Sequence, residues 1–237
     1  YRFHDEFGVK TTKYYGGMSI IEYEGYKPEL LEYIKHFTVT MTQDDAGITE
    51  KAEDVVHNVE LTDATKRYYN EVLRTNIVSI DGEEYLLDTT LKLRTALHQI
   101  EGGAIKLGDE YFDLGFREKI QYILDNFGDS EAVGIMCHFI GEQKLLKSIF
   151  KHAKIYSSNA HAEGVDLSHL EHFIIYSSDY SGAKFVQRRE RIINMNGSNT
   201  TIVHHILVKG GVSEQVYKAV SNKADFNNSV FEPLEII

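Results

Sequence analysis

From Phe116 onward the apolar residues fall into short runs separated by amphipathic stretches. Residues 132–139, 154–156, 173–176 and 201–208 read as strands. Residues 116–126, 142–152, 183–193 and 213–223 read as helices, the last opening on Ser213 as N-cap. Nearly continuous apolar strands alternating with helices imply an α/β fold, a parallel sheet with helices on both faces. Such sheets take ligands beyond the carboxyl ends of their strands. Chemistry is therefore expected in the loops after Phe139, Tyr156, Tyr176 and Val208.

Before Phe116 the pattern is mixed. A short helix is expected over 28–34, with Pro28 in the first turn. Residues 54–61 alternate as a strand. Thr62 caps a helix reaching Thr75, with Tyr68, Val72 and Leu73 on its apolar side. Asp81-Gly82 is the dipeptide of a tight hairpin over 77–87. A helix over 89–100 ends at Gly102-Gly103, and a second hairpin turns near Gly108-Asp109.

Charge and cysteine usage narrow the function. Lys and Arg total 25 against 36 Asp and Glu, a net charge of -11, which excludes a generally basic nucleic-acid-coating protein but not a local basic groove. The single cysteine, Cys137, rules out an internal disulfide framework and a cysteine-based zinc site. His204 and His205 are adjacent on a strand and point to opposite faces, so they cannot share a metal there, and no metal site is expected. No apolar run is long enough for a bilayer span, and a cytoplasmic location without membrane contact is expected. The chain begins with Tyr1, as expected of a piece of a longer protein.

Three segments stand out within this acidic background. Residues 157–167 form a loop with Gly164 and Asp166; residues 177–182 lead into a helix; and that helix bears Gln187-Arg-Arg-Glu-Arg191. Gln187 and Arg191 share a helix face, as do Arg188 and Arg191, and guanidinium groups beside a strand-end cleft suit a phosphate oxygen. The same patterns also occur as a solvated helix face and an ordinary loop. Lys144, Lys147 and Lys151 fall near one face of the 142–152 helix. No Gly-x-x-x-x-Gly-Lys-[Ser/Thr] loop occurs, nor an acidic box after an apolar strand, nor a Gly-x-Ser-x-Gly elbow.

Taken in order, these segments resemble the C-terminal half of a superfamily-two DEAD/DEAH-box helicase, of Snf-type or phage-encoded kind. The resemblance covers residues 53–224. Val59-Glu-Leu-Thr62 with Arg67-Tyr-Tyr69 resembles the entry to the second RecA-like domain, and Leu93-Arg-Thr-Ala-Leu-His-Gln-Ile100 resembles the helix that follows it. Residues 134–139 resemble motif IV, Ala162-Glu-Gly-Val-Asp-Leu-Ser168 motif V, and Gln187-Arg-Arg-Glu-Arg191 motif VI. Residues 213–217 with Lys223 resemble the closing helix. Lys35-His-Phe-Thr-Val-Thr-Met-Thr-Gln-Asp-Asp45 resembles a stretch that links the two motor domains.

The resemblance implies a RecA-like domain over 53–237, preceded by a mixed α+β lead segment over 1–52. It implies a motor using ATP and Mg2+ in the intact parent, with no cofactor bound tightly to this piece. Its partners would be DNA and the N-terminal RecA-like domain of the same parent, which holds the Walker motifs, so the piece alone is expected to be inactive. The implied catalytic residues are Arg191, Gln187 and Arg188. The implied nucleotide contacts are Gly164, Asp166, Gln187 and Arg191. The implied nucleic-acid path includes His138, Phe139, Ser157, Ser158, Asn159 and Lys144. Asn194 stands where the family's motif VI has its last arginine. Two rivals stay open: a non-catalytic RecA-like module that binds protein or nucleic acid, and a nucleotide-sugar transferase of Rossmann-like fold.

Overall fold

The computed structural model describes residues 2–15, 18–39, 53–158, 170–192 and 202–237, with backbone alone at 13–15, 18, 24 and 188–192. The chain divides into two compact units, Tyr1–Thr49 and Glu50–Ile237.

The first unit contains helix α1 (Arg2–Phe7), an antiparallel hairpin of β1 (Gly8–Tyr15) and β2 (Met18–Tyr26), and helix α2 (Glu29–Ile34). Pro28 caps α2, where its missing N–H costs nothing. Asp5 ties α1 to the hairpin, accepting from Lys10 Nζ at 2.9 Å and from the Tyr23 hydroxyl at 3.0 Å.

The second unit opens with β3 (Glu53–Val59) and α3 (Asp63–Thr75). Thr62 caps α3 as expected, its hydroxyl accepting from Thr65 N at 3.4 Å. The helix buries Thr65, Tyr69 and Val72, whereas the predicted Tyr68 and Leu73 are only partly buried. The hairpin of β4 (Ile77–Ile80) and β5 (Glu83–Leu86) turns at Asp81 and Gly82, with φ of 52° and 83°. Both angles lie in the left-handed region that such a turn requires, and that Asp-Gly supplies at low cost. Helix α4 (Thr90–Glu101) follows, then a second hairpin of β6 (Ala104–Leu107) and β7 (Glu110–Asp113).

The remaining elements are α5 (Glu118–Phe127), β8 (Val133–Cys137), α6 (Ile140–Ile149), β9 (Lys154–Ser157), β10 (His172–Ile175), α7 (Gly182–Ile192), β11 (Ile202–Val208) and α8 (Val212–Ser221). Five strands form one sheet in the order β3-β11-β10-β8-β9, with every pairing parallel. One buried cluster joins Ile120 and Ile123 of α5 and Leu145 and Leu146 of α6 to Ile135, Ile174 and Ile206 of the strands. A second joins Val72 of α3, Leu97 and Ile100 of α4 and Val212, Val216 and Val220 of α8 to Val208 and Phe226. All five residues of β8 are buried, as are six of the seven in β11, so neither strand alternates polar with apolar.

Among the boundaries that differ from the sequence expectation, three change the reading of named residues. Helix α5 begins at Glu118, not Phe116. Helix α6 ends at Ile149, so Lys151 lies beyond it and does not extend the face of Lys144 and Lys147. Ser213 is not the N-cap of α8; Gly211 is, and Ser213 sits in the first turn. The amides of Val212 and Ser213 are met by the Glu101 carboxylate at 2.5 and 3.0 Å, which frees the Ser213 hydroxyl to accept from Val208 N at 2.8 Å.

Candidate functional site

The carboxyl ends of β8, β9 and β10 lie side by side because the strands are parallel and paired in register. At the end of β8, His138 N donates to the Ser177 hydroxyl at 2.8 Å, across to the end of β10. His138 Nδ1 lies 3.1 Å from the Ser158 hydroxyl at the end of β9. One residue thus staples three strand ends. Phe139 is the N-cap of α6, and its amide reaches Glu142 Oε2 at 3.4 Å.

Beneath this rim lies a fully buried polar cluster. Ser177 Oγ donates to Glu142, Lys119 Nζ donates to the Tyr176 carbonyl, and the Tyr176 hydroxyl donates to Gly102 O at 2.8 Å. The Lys119 ammonium also sits 4.4 Å from the centre of the Tyr176 ring. Burial pushes the Glu142 carboxyl up to about 7, opposed by the nearby Lys119 charge and the Ser177 hydrogen bond. Glu101 is likewise raised to about 7 by burial. Burial lowers Lys119, while Glu142 and Glu101 oppose that shift. Among the described residues Glu142 Oε1 has no hydrogen-bond partner, and it packs against Gly102, where an added Cβ would lie 2.1 Å away.

The start of α7 is held by a second group. Asp179 Oδ1 accepts from Ser181 N at 3.0 Å, and Asp225 Oδ1 accepts from Gly182 N at 2.9 Å. Tyr180 packs its ring 5.8 Å from both His98 and His138, and the Arg94 guanidinium lies 4.8 Å from it. Arg94 is buried, donates to Phe226 O at 3.2 Å and also lies over the Phe226 ring at 5.4 Å.

The structure brings together part of the predicted set. His138, Phe139, Ser157 and Ser158 share the rim, with Ser158 buried beneath it. Lys144 is on α6 with its ammonium 4.2 Å from the Tyr111 ring, drawn toward β7. Gln187 is exposed on α7, and Arg188 and Arg191 lie on the same helix. Asn159, Gly164, Asp166 and Asn194 fall outside the described residues. Among the described residues no group of three or more His, Cys, Asp or Glu is arranged to hold a metal, and no helix is long and apolar enough to cross a membrane.

Sequence reasoning singled out the 177–182 segment, which holds Ser177 and Tyr180, but missed Glu142, Lys119 and Glu101. Glu101 left one signal, an acidic residue directly before a Gly-Gly helix end. Lys119 and Glu142 look like ordinary polar positions on amphipathic helices, and only the packing of α5 and α6 on the sheet buries them.

No protein-family model matches the sequence, and no curated protein matches it. Solved structures do. The C-terminal part of the Fun30 ATPase domain superposes with a TM-score of 0.53 at 11% identity, over 78% of this chain and 94% of that one. The Sulfolobus solfataricus SWI2/SNF2 ATPase core, solved in complex with dsDNA, gives a TM-score of 0.49 at 16% identity over 82% of this chain. The chain spans about half of that second structure, 50% of its length. At these identities the likeness is one of fold. The class is an α/β domain of RecA-like fold. More particularly, the fold is similar to that of the C-terminal part of the Fun30 ATPase domain.

Proposed function

We propose that this chain is the C-terminal motor domain of an ATP-dependent DNA helicase or translocase, completing an ATP site whose Walker motifs lie on an N-terminal RecA-like domain. The observation that carries this reading is the placement of α7. It follows the central strand β10, starts at the carboxyl edge of the sheet, and bears Gln187 and Arg188 on one turn and Arg191 on the next.

The helix N-termini offer a test of fit to a nucleotide. Those of α8, α6, α3 and α7 are already met by this chain's own Glu101, Glu142, Thr62 and Asp225. One or two amides at each start are engaged, and no Gly-x-x-x-x-Gly-Lys-[Ser/Thr] loop occurs in the sequence, so they make no phosphate cradle of the Walker kind. The residues present fit a different role, in which guanidinium arms meet phosphate charge across a cleft. Bound ATP would supply the phosphoryl group whose hydrolysis drives the motor. Arg191, with Arg188 as the lesser candidate, would face the γ-phosphate, and Gln187 would position it. Mg2+ would be held by the partner domain and the nucleotide. Gly164 and Asp166 would couple nucleotide state to DNA, along a path lined by His138, Phe139, Ser157, Ser158, Asn159 and Lys144. The acidic balance allows this, because a motor domain needs only a few phosphate contacts.

A second reading, a non-catalytic RecA-like binding module, is favoured by Asn194 in place of the last motif VI arginine. One experiment separates the two. The chain alone, given ATP, Mg2+ and DNA, should not turn over, whereas the chain joined to its N-terminal domain should. Magnesium-dependent turnover by the chain alone sinks the shared-site reading, and an inert two-domain protein favours the binding module.

A further inference from the structure

The outer side of β3 has no strand beside it among the described residues. The strand is seven residues long and paired to β11 without a register shift from Glu53 to Val59. On a parallel strand, successive residues turn their N–H and C=O to alternate sides. The Val59 carbonyl accepts from Lys209 N at 3.1 Å, so Val59, His57 and Val55 face β11. Val56 and Asn58 therefore face outward, and among the described residues their backbone groups have no partner. Edge strands are normally blunted by a bulge, a proline or a lysine. This one has none of these, and Val56 is 40% exposed.

The same edge runs into a groove of about 800 Å³ between the first turn of α3 and α5. Its floor is apolar, built by Val59, Ala64, Leu114, Phe116 and Tyr122. Its rim is acidic, with Glu60, Glu118 and Asp125. Arg117, the one cation at the rim among the described residues, is already neutralised by Asp113 at 2.6 Å. Of the acids, Glu60 reaches Lys209 at 3.3 Å. Glu118 accepts from the hydroxyls of Thr62 and Thr65 at 2.7 and 2.5 Å, which hold it ionised against the opposing effect of burial. Asp125 accepts only an amide, from Gln121 at 2.7 Å.

An open strand edge, an apolar slot at its end and a rim lined by more carboxylates than cations define one occupant. We propose that β3 and this groove dock an extended, basic segment of a partner protein, which adds as a strand beside Val56 and Asn58 and seats an apolar side chain against Phe116 and Tyr122. Main-chain pairing would supply affinity, and the slot and rim the selectivity. This surface is separate from α7, and the inference does not rest on the nucleotide reading.

The test uses the whole chain labelled with nitrogen-15. The probe is a synthetic peptide alternating lysine with valine and ending in leucine; the control carries glutamate for each lysine. The basic peptide should shift the amides of Val56, Asn58, Ala64 and Tyr122, and the acidic one should not. The double reversal Glu60→Lys with Asp125→Lys, at two exposed positions, should weaken binding by about five-fold or more. Asn58→Pro removes an outward N–H and leaves the β11 ladder intact, and it should abolish the shifts. Shifts spread over other acidic surfaces, equal binding of the acidic peptide, or an unchanged affinity in the double reversal would overturn the proposal. Concentration-dependent shifts at these amides without peptide would also overturn it, because the face would then pair with a second copy.

Discussion

His204 lies between two other imidazoles, with its Nδ1 2.9 Å from His57 Nε2 and its Nε2 3.0 Å from His172 Nδ1. The chain ends on the Tyr122 hydroxyl, 2.9 Å from His57 Nδ1, and Phe127 packs over His204 at 4.5 Å. One consistent order of donors runs from the Tyr122 hydroxyl to His57 Nδ1, from His57 Nε2 to His204 Nδ1, and from His204 Nε2 to His172 Nδ1. A second proton on adjacent rings would set N–H against N–H. Burial first, then the neighbouring His57, His172 and His205, lowers His204 to about 4. His205 points to the other face and pairs with Asp54 at 3.1 Å.

An acid limb of stability follows from this chain. An unfolded imidazole titrates near 6.5, and the folded one only near 4. The unfolded state therefore binds more protons between these values, and stability present above 6.5 is lost as pH falls toward 4. Replacing His204→Phe should flatten that limb, read as the urea midpoint at pH 7 and at pH 5. An equally steep loss in the variant would remove His204 from the account.

Glu142 has the opposite sign. Its carboxyl is raised from 4.5 to about 7, so its contribution is complete below 4.5 and is lost as pH rises through 7. Glu142→Gln should raise stability relative to the parent at pH 8 by about 1–3 kcal/mol and change it little at pH 4.5. Denaturation midpoints at the two pH values decide it; a uniform shift would point to altered packing instead.

Gly102 and Glu142 should be coupled. A methyl group at 102 would lie 2.1 Å from Glu142 Oε1, at a backbone angle that alanine tolerates. Gly102→Ala should cost about 1–3 kcal/mol, and much less in a Glu142→Ala background. Additive effects in the four-way cycle would mean that the methyl group strikes something else.

The first turn of α3 offers a simpler check. Glu118 accepts from Thr62 N, Thr62 Oγ1 and Thr65 Oγ1, all within 3.0 Å. Glu118→Ala should cost about 1–3 kcal/mol by removing the acceptor of all three, leaving the fully buried Thr65 hydroxyl to the Thr62 hydroxyl at 3.0 Å. Restoring most of that loss with Glu118→Gln would show that acceptor geometry matters more than charge.

Arg191→Ala in the two-domain parent should lower ATP turnover by about 10³-fold or more while ATP binding persists. Stopped-flow turnover beside equilibrium nucleotide binding separates the two. Undiminished turnover would move the charge-stabilising role to Arg188 or off α7.

Much of the fold was legible because local rules decide it. Apolar runs such as 133–137 suit a strand covered on both faces, Thr62 has the hydroxyl that closes a helix start, and Asp81-Gly82 takes the positive φ of a tight hairpin. Each depends on residues a few positions apart. The helix that bears Gln187 and Arg191 one turn apart was legible for the same reason. What the sequence could not determine were meetings across the chain: His57 with His204, Glu101 with the start of α8, Glu142 with Ser177. Those pairs lie 35 to 147 positions apart. Only the stacking of β3, β11, β10 and β8 brings them together, and burial there turns ordinary carboxylates and imidazoles into groups whose charge depends on the fold.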